Sequence, residues 1–275
     1  MRLMGIVNVT PDSFSDGGLY LDPKAAIAHG RKLAAAGAEI LDVGGESTRP
    51  GAEAVGPRDE RKRTEPVVRA LAAAGHRVSI DTSKATVARA ALDAGATIVN
   101  DVTALRAEPD LAGVCADRGC DVVLMHMLGT PRTMQDDPRY GDVVSDVKGF
   151  LAQRIECAVA EGIAEERIWI DPGIGFGKTV DHNLELLRRL GELRDLGRPI
   201  VIGTSRKNFI GKLTGRAVEH RLGGTVASNV LAIRAGADIF RVHDVAAVGQ
   251  TLRVAEAILG RRLWGTDERF AVGQA

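Results

Sequence analysis

The sequence predicts an α/β protein whose strands close into a (β/α)8 TIM barrel, with long loops after strands 1 and 2. Three observations predict it. Short β-rich apolar runs recur eight times along the 275 residues, of the length expected for buried parallel strands. Between most of them lie Ala-, Leu- and Arg-rich stretches with apolar positions three or four residues apart, and strand–helix alternation implies a parallel sheet. Ala-Gly-Ala precedes a strand at Gly37, Gly95 and Gly236, where a glycine just past a helix lets the chain turn. The spacing of the three is irregular, so they mark a repeated αβ corner and not a solenoid. A doubly wound open sheet is the alternative architecture.

In chain order, strands are expected over 3–9, 39–44, 77–81, 97–102, 121–127, 167–171, 199–203 and 238–243. The first helix is marked by Asp22 as N-cap, Pro23 at its first position and Gly37 past its end. Pro66 is expected to break or kink the charged helix after the second strand. Val144, Val147, Leu151, Ile155 and Ala158 follow the fifth strand with helical spacing. Segments 8–23 and 44–58 exceed the roughly two to six residues usual for βα loops and read as lids or binding loops. The barrel domain is expected over 1–260, with 261–275 as a C-terminal surface tail.

Composition narrows the function classes. Lys plus Arg (36) balances Asp plus Glu (36), so the basic excess of a nucleic-acid or anionic-membrane binder is missing. A chain that is 45% hydrophobic and 26% charged lies far from the signature of disorder. With no run of 18 apolar residues, a soluble cytoplasmic protein is expected. Cys115, Cys120 and Cys157 show no metal-binding spacing and read as reduced thiols. Glycine is the outlier: 32 residues, about 12% against an average near 7%.

Barrel enzymes act where the carboxyl ends of the strands converge. Those positions hold Asn8, Asp42 or Glu46, Asp81, Asn100 with Asp101, His126, Asp171, Ser205 with Lys207, and Arg241, His243 and Asp244. Any one could merely mark where a strand leaves the core; all eight ends together point to a site. Asp81, Asn100 and Asp171 offer acceptors and an amide to a flat, donor-rich heterocycle. Lys207, Arg241 and His243 suit an anion, in the loops where barrels commonly bind phosphate. The run DPGIGFGKT misses the P-loop at Pro172 and the dinucleotide fingerprint at Lys178. It reads either as a turn that lays Phe176 against a ligand or as a plain surface turn. His126 could be functional or structural, and His29, His76, His182 and His220 read as surface residues.

The motifs MGIVNVTPDSFSDGG (4–18), DVGGESTRPGA (42–52), SIDT (79–82), VND (99–101), LMHMLGTPRTMQ (124–135), DPGIGFGK (171–178), GTSRK (203–207) and RVHDV (241–245) resemble the dihydropteroate synthase family of pterin-binding TIM barrels. The resemblance runs from about residue 4 to 260. It implies a transferase of folate biosynthesis that condenses 6-hydroxymethyl-7,8-dihydropterin diphosphate with 4-aminobenzoate, giving 7,8-dihydropteroate and diphosphate. By position it implies that Asp81, Asn100, Met125, Asp171 and Lys207 bind the pterin, and that Asn8, Arg241 and His243 bind the diphosphate. Asn8 would also be the ligand of a Mg2+ cofactor. Thr48, Arg49, Pro50, Phe176 and Ser205 would form the aminobenzoate site, while Asp16 helps close the first loop. Asp81, Asp171, Lys207, Arg241 and His243 would carry catalysis. A homodimer is a further implication.

The chemistry expected is a dissociative, SN1-like substitution, because no Ser/His/Asp or Cys/His dyad suggests itself at the mouth. Both long loops are expected to close over the cation and exclude water, since water would compete with the arylamine. The rival readings are a non-catalytic pterin-binding paralogue and the pterin domain of a folate-dependent methyltransferase.

Overall fold

The computed structural model describes residues 1–10, 22–49 and 51–260. Eight strands alternate with helices: β1 (Arg2–Asn8), α1 (Pro23–Ala35), β2 (Ile40–Gly44), α2 (Pro57–Ala73), β3 (Arg77–Asp81), α3 (Ala85–Asp93), β4 (Ile98–Asp101), α4 (Asp110–Arg118), β5 (Asp121–Met125), α5 (Val143–Ala160), β6 (Ile168–Asp171), α6 (Val180–Arg188), β7 (Val201–Ile202), α7 (Asn208–Thr214), α8 (Leu222–Ala235), β8 (Ile239–Val242) and α9 (Val245–Ile258). The strands pair in parallel in the order β6-β5-β4-β3-β2-β1-β8-β7. A parallel bridge between Ile170 and Ile200 joins β6 to the chain entering β7. The (β/α)8 expectation holds, and the open sheet is excluded.

Each strand buries both faces, which is why it reads as a continuous apolar run. Met4, Ile40, Ile98, Val123, Trp169, Val201 and Ile239 form one buried cluster, the side-chain filling of the barrel interior. A larger cluster, including Leu33, Leu71, Leu111, Leu151 and Leu252, lies between strands and helices. Its continuity around the ring holds the strand ends in place.

Local signals act as expected at several elements. Asp22 caps α1, its Oδ1 accepting the Lys24 N–H at 3.0 Å. Gly37, Gly95 and Gly236 have φ of +105°, +107° and +101°, a backbone region that L side chains rarely adopt. Two elements differ. β7 spans two residues, because Pro199 has no N–H to donate and the Ile200 N–H goes to Asp238 Oδ2 at 2.9 Å. The helix α2 runs unbroken through Pro66. Pro66 and Lys62, whose carbonyl loses its helical partner, are exposed, while Val67, Val68 and Leu71 anchor the following turn in the core.

The cysteines are free thiols, Cys115 and Cys120 buried and Cys157 half-buried. Among the described residues no helix is long and apolar enough to cross a membrane. Asp16, Pro50, most of the first long loop and the tail at 261–275 lie outside the described residues.

Candidate active site

Strand register builds the site. Across β1 to β4 the register aligns Asn8, Gly44, Asp81 and Asn100, and across β5 and β6 it aligns Met125 with Asp171. Partner positions in parallel strands point to the same face, so Asn8, Asp81 and Asn100 share one row at the carboxyl end. Arg241 comes from β8, while Ser205 and Lys207 come from the turn after β7.

One arginine organises the floor. Arg241 Nε donates to Asp42 Oδ2 at 2.6 Å and its Nη2 donates to Asp81 Oδ2 at 2.6 Å. Asn100 Nδ2 donates to the same Asp42 oxygen at 3.2 Å. Asp42 is fully buried, and its Oδ1 has no hydrogen-bond partner. Burial pushes the Asp81 carboxyl up to about 7, against the pull of Arg241 and with the push of Asp42. Burial also raises Asp171, although Lys207 and the Gly173 N–H, 2.7 Å from its Oδ1, favour the carboxylate. Burial lowers Lys207 to about 8, partly opposed by Asp171. Burial likewise opposes the Arg241 charge, but Asp42 and Asp81 win and its pKa stands above the ordinary value.

This arrangement revises the expected division into an acidic and a cationic half. Arg241 is already shared by two carboxylates, so the two halves interlock.

His243 Nδ1 lies 3.0 Å from Ser205 Oγ, which also accepts the His243 backbone N–H at 3.2 Å. The hydroxyl keeps a second lone pair and its own hydrogen, so it can meet either tautomer of the ring. Burial, followed by the nearby Arg206, Arg241 and Arg49, holds the imidazole well below its ordinary pKa. The His243 ring is therefore neutral. The mouth thus holds a hydrogen-bonded Ser–His pair. The two residues lie 38 positions apart in the chain, and adjacent strands bring them together.

The glycine turn after β6 is built, not plain surface. Gly173, Gly175 and Gly177 all have positive φ, and a Cβ on Gly173 would fall 1.9 Å from the His126 carbonyl oxygen. The turn lays Phe176 against Met125, Met127, Met134 and Val102, with Lys207 Nζ 4.7 Å from its ring centroid. Lys207 also donates to the Ile174 carbonyl. His126 is buried edge-on to Phe150 at 4.8 Å, its Nδ1 2.8 Å from Lys178 Nζ. Burial keeps His126 neutral, with its pKa lowered to about 2.

A sequence profile of the pterin binding enzymes matches residues 4–243. The chain is 45% identical over 258 residues to a dihydropteroate synthase of Synechocystis sp., covering 93% of this chain and 89% of that protein. This chain belongs to the dihydropteroate synthase family. A Xanthomonas albilineans dihydropteroate synthase solved with 4-aminobenzoic acid is 50% identical, with a TM-score of 0.88 over 95% of this chain and 94% of that one. The structure of the Xanthomonas albilineans enzyme in complex with 7,8-dihydropteroate is 47% identical, with a TM-score of 0.85 and the same two coverages.

Set against that family, the structure brings Asn8, Asp81, Asn100, Met125, Asp171, Phe176, Ser205, Lys207, Arg241 and His243 to one end of the barrel. Thr48 and Arg49 follow β2 on a half-buried loop, with Arg49 near enough to His243 to act on its charge. Sequence reasoning missed Lys178 and the pair Lys84–Glu60. Lys178 is buried, its Nζ donating to the Phe176 carbonyl at 2.9 Å. Lysine is rarely buried, and no local pattern distinguishes these two from surface lysines.

Proposed function

We propose that this protein is a transferase that condenses 6-hydroxymethyl-7,8-dihydropterin diphosphate with 4-aminobenzoate. The observation that carries the reading is the buried Asp42–Arg241–Asp81 cluster with Asn100, opposite Asp171 and Lys207, at one barrel mouth. Asp81, Asn100 and Asp171 supply acceptors and an amide that match the donor-rich edge of a pterin, with Met125 against its face and Lys207 beside it. Arg241 and His243 hold the diphosphate. Thr48, Arg49, Pro50, Phe176 and Ser205 receive the aminobenzoate, and Asp16 closes the first loop.

Among the described residues no group of three or more His, Cys, Asp or Glu could hold a metal. A cation here would take the Asn8 amide oxygen and fill its other positions from diphosphate and water, which fits the habits of Mg2+. When bound, Mg2+ would neutralise charge on the departing diphosphate. The residues of the chain do the rest. His243 donates to the leaving group, and Asp81 and Asp171 stabilise the electron-poor pterin methylene left behind. The weakly basic arylamine then attacks, in an SN1-like sequence that needs no strong general base.

Crystals soaked with the pterin diphosphate and Mg2+ but no aminobenzoate should hold a cleaved pterin beside diphosphate. Intact substrate under turnover-competent conditions would sink the dissociative order. Diphosphate release that depends on aminobenzoate separates the synthase from a pterin-binding paralogue.

We also infer a homodimer in the cytoplasm. An apolar groove of about 650 Å³ between α6, α7 and α8, with Leu213 and Leu231 56% and 60% exposed, supports a second copy there. Free cysteines fit a reducing compartment.

A further inference from the structure

The loop from β2 to α2 is closed at its neck by one carboxylate. Glu46 Oε1 accepts the Val55 N–H at 2.8 Å, which ties the root of the loop that carries Thr48 and Arg49, while the Gly51 N–H anchors it further out on the Pro131 carbonyl at 3.3 Å. The other oxygen, Oε2, receives Lys84 Nζ at 2.5 Å, and the same ammonium meets Glu60 Oε2 at 2.5 Å. Three elements are joined: the loop through Glu46, the first turn of α2 through Glu60, and the turn from β3 into α3 through Lys84, three residues past Asp81.

The joint is largely buried and tight. The side chains of Glu60, Lys84 and Glu46 are 0%, 14% and 20% exposed, and Glu60 Oε1 has no partner. A Cβ on Gly45 would stand 2.7 Å from Thr64 Cγ2 and 3.0 Å from Glu60 Cγ, and Arg63 Nη1 donates to the Gly45 carbonyl at 2.9 Å. The root of the loop therefore lies against α2 with no slack. Without the ammonium, burial would press Glu60 towards its neutral form and the two carboxyls would lose the cation that holds them together, so the joint would loosen.

We propose that Lys84 is a positioning residue for 4-aminobenzoate: held between Glu46 and Glu60, its ammonium sets where the loop carrying Thr48 and Arg49 stands over the barrel mouth. The inference rests on the reading of Thr48 and Arg49 as aminobenzoate ligands. Lys84 touches neither substrate. The pterin groups Asp81, Asn100 and Asp171 are held by strand register, which the joint does not control, so the effect is selective for one substrate.

Steady-state kinetics with both substrates, pterin diphosphate binding by calorimetry and thermal melting test it on Lys84→Met, Lys84→Arg, Glu46→Gln and Thr48→Ala. Lys84→Met should raise the KM for aminobenzoate by about ten- to a hundredfold, the scale of a misplaced reactant group. Its kcat and its affinity for pterin diphosphate should stay within about twofold. Lys84→Arg keeps charge and donors and should restore most of the loss. Glu46→Gln keeps the acceptor for Val55 but loses the ion pair, and should fall between. Should Lys84→Met not fold, the last two variants carry the test. Constants for both substrates moving together, or an unchanged aminobenzoate KM where Thr48→Ala raises it, would overturn the proposal. A Thr48→Ala enzyme with a wild-type KM would instead overturn the assignment of the loop, and the proposal with it.

Discussion

At the carboxyl end of the barrel one arginine is shared by two carboxylates; at the amino end one carboxylate is shared by two arginines. Arg241, Asp42 and Asp81 have side chains 22%, 0% and 10% exposed. Around Asp121, Arg77 and Arg167 are 35% and 46% exposed and Asp121 is 14% exposed. Arg2 and Arg77 also lie over the Trp169 ring at 6.0 and 5.3 Å, beside a solvent-open hollow lined by His76 and Arg118. The pairs are chemically alike, but water reaches only the second set freely. At the mouth, burial leaves Asp42 Oδ1 without a partner and lifts Asp81 towards neutrality. Polarity held out of water in this way is available to a ligand. At the amino end, solvent already satisfies it.

The largest break in the comparison should come from Arg241→Met. It leaves two buried carboxylates without their cation, which costs about 3–5 kcal/mol of stability, measurable by urea unfolding, and synthesis should be lost as well. The deficit should shrink as pH falls towards about 7. Arg241 pulls the Asp81 pKa down, so without it the carboxyl stands higher still and takes up its proton before the wild-type group does, which stabilises the variant alone over that window. A deficit below about 1 kcal/mol would mean that the mouth is as well solvated as the amino end.

A second effect should appear in the pH profile. If the Asp81 carboxylate and the Lys207 ammonium both serve the pterin, kcat/KM for pterin diphosphate rises through about pH 7 and falls through about pH 8. Lys207→Arg keeps its charge at higher pH and should remove the alkaline limb. An alkaline limb that survives the substitution assigns it to another group. The smallest effect belongs to the amino end. Arg77→Ala should change stability by no more than about 1 kcal/mol, as for other exposed pairs, and leave kcat/KM unchanged. A catalytic defect there would dissolve the contrast between the two ends.

How legible the site was depended on the range of each interaction. Asp81, Asn100, Asp171 and Arg241 could be named because each ends a strand, and in a parallel barrel all strand ends meet at one rim. The glycine turn was legible as a turn, yet its close approach to the His126 carbonyl was not, since the distance depends on how β5 and β6 pack. Pro66 misled because its local effect was outweighed by the apolar face of α2.

By itself the sequence determined the eight strands, the corners at Gly37, Gly95 and Gly236, and which polar residues reach the mouth. These depend on periodicity and backbone conformation, properties of neighbouring residues. Only the tertiary structure decided the charge states of those residues and their partners. Arg241 is neutralised from β2 and β3, His243 is held neutral by burial with Ser205 on its Nδ1, and Lys84 is clamped between two carboxylates. Burial and Coulomb interaction act through space, and the chain brings those partners together only when the barrel closes.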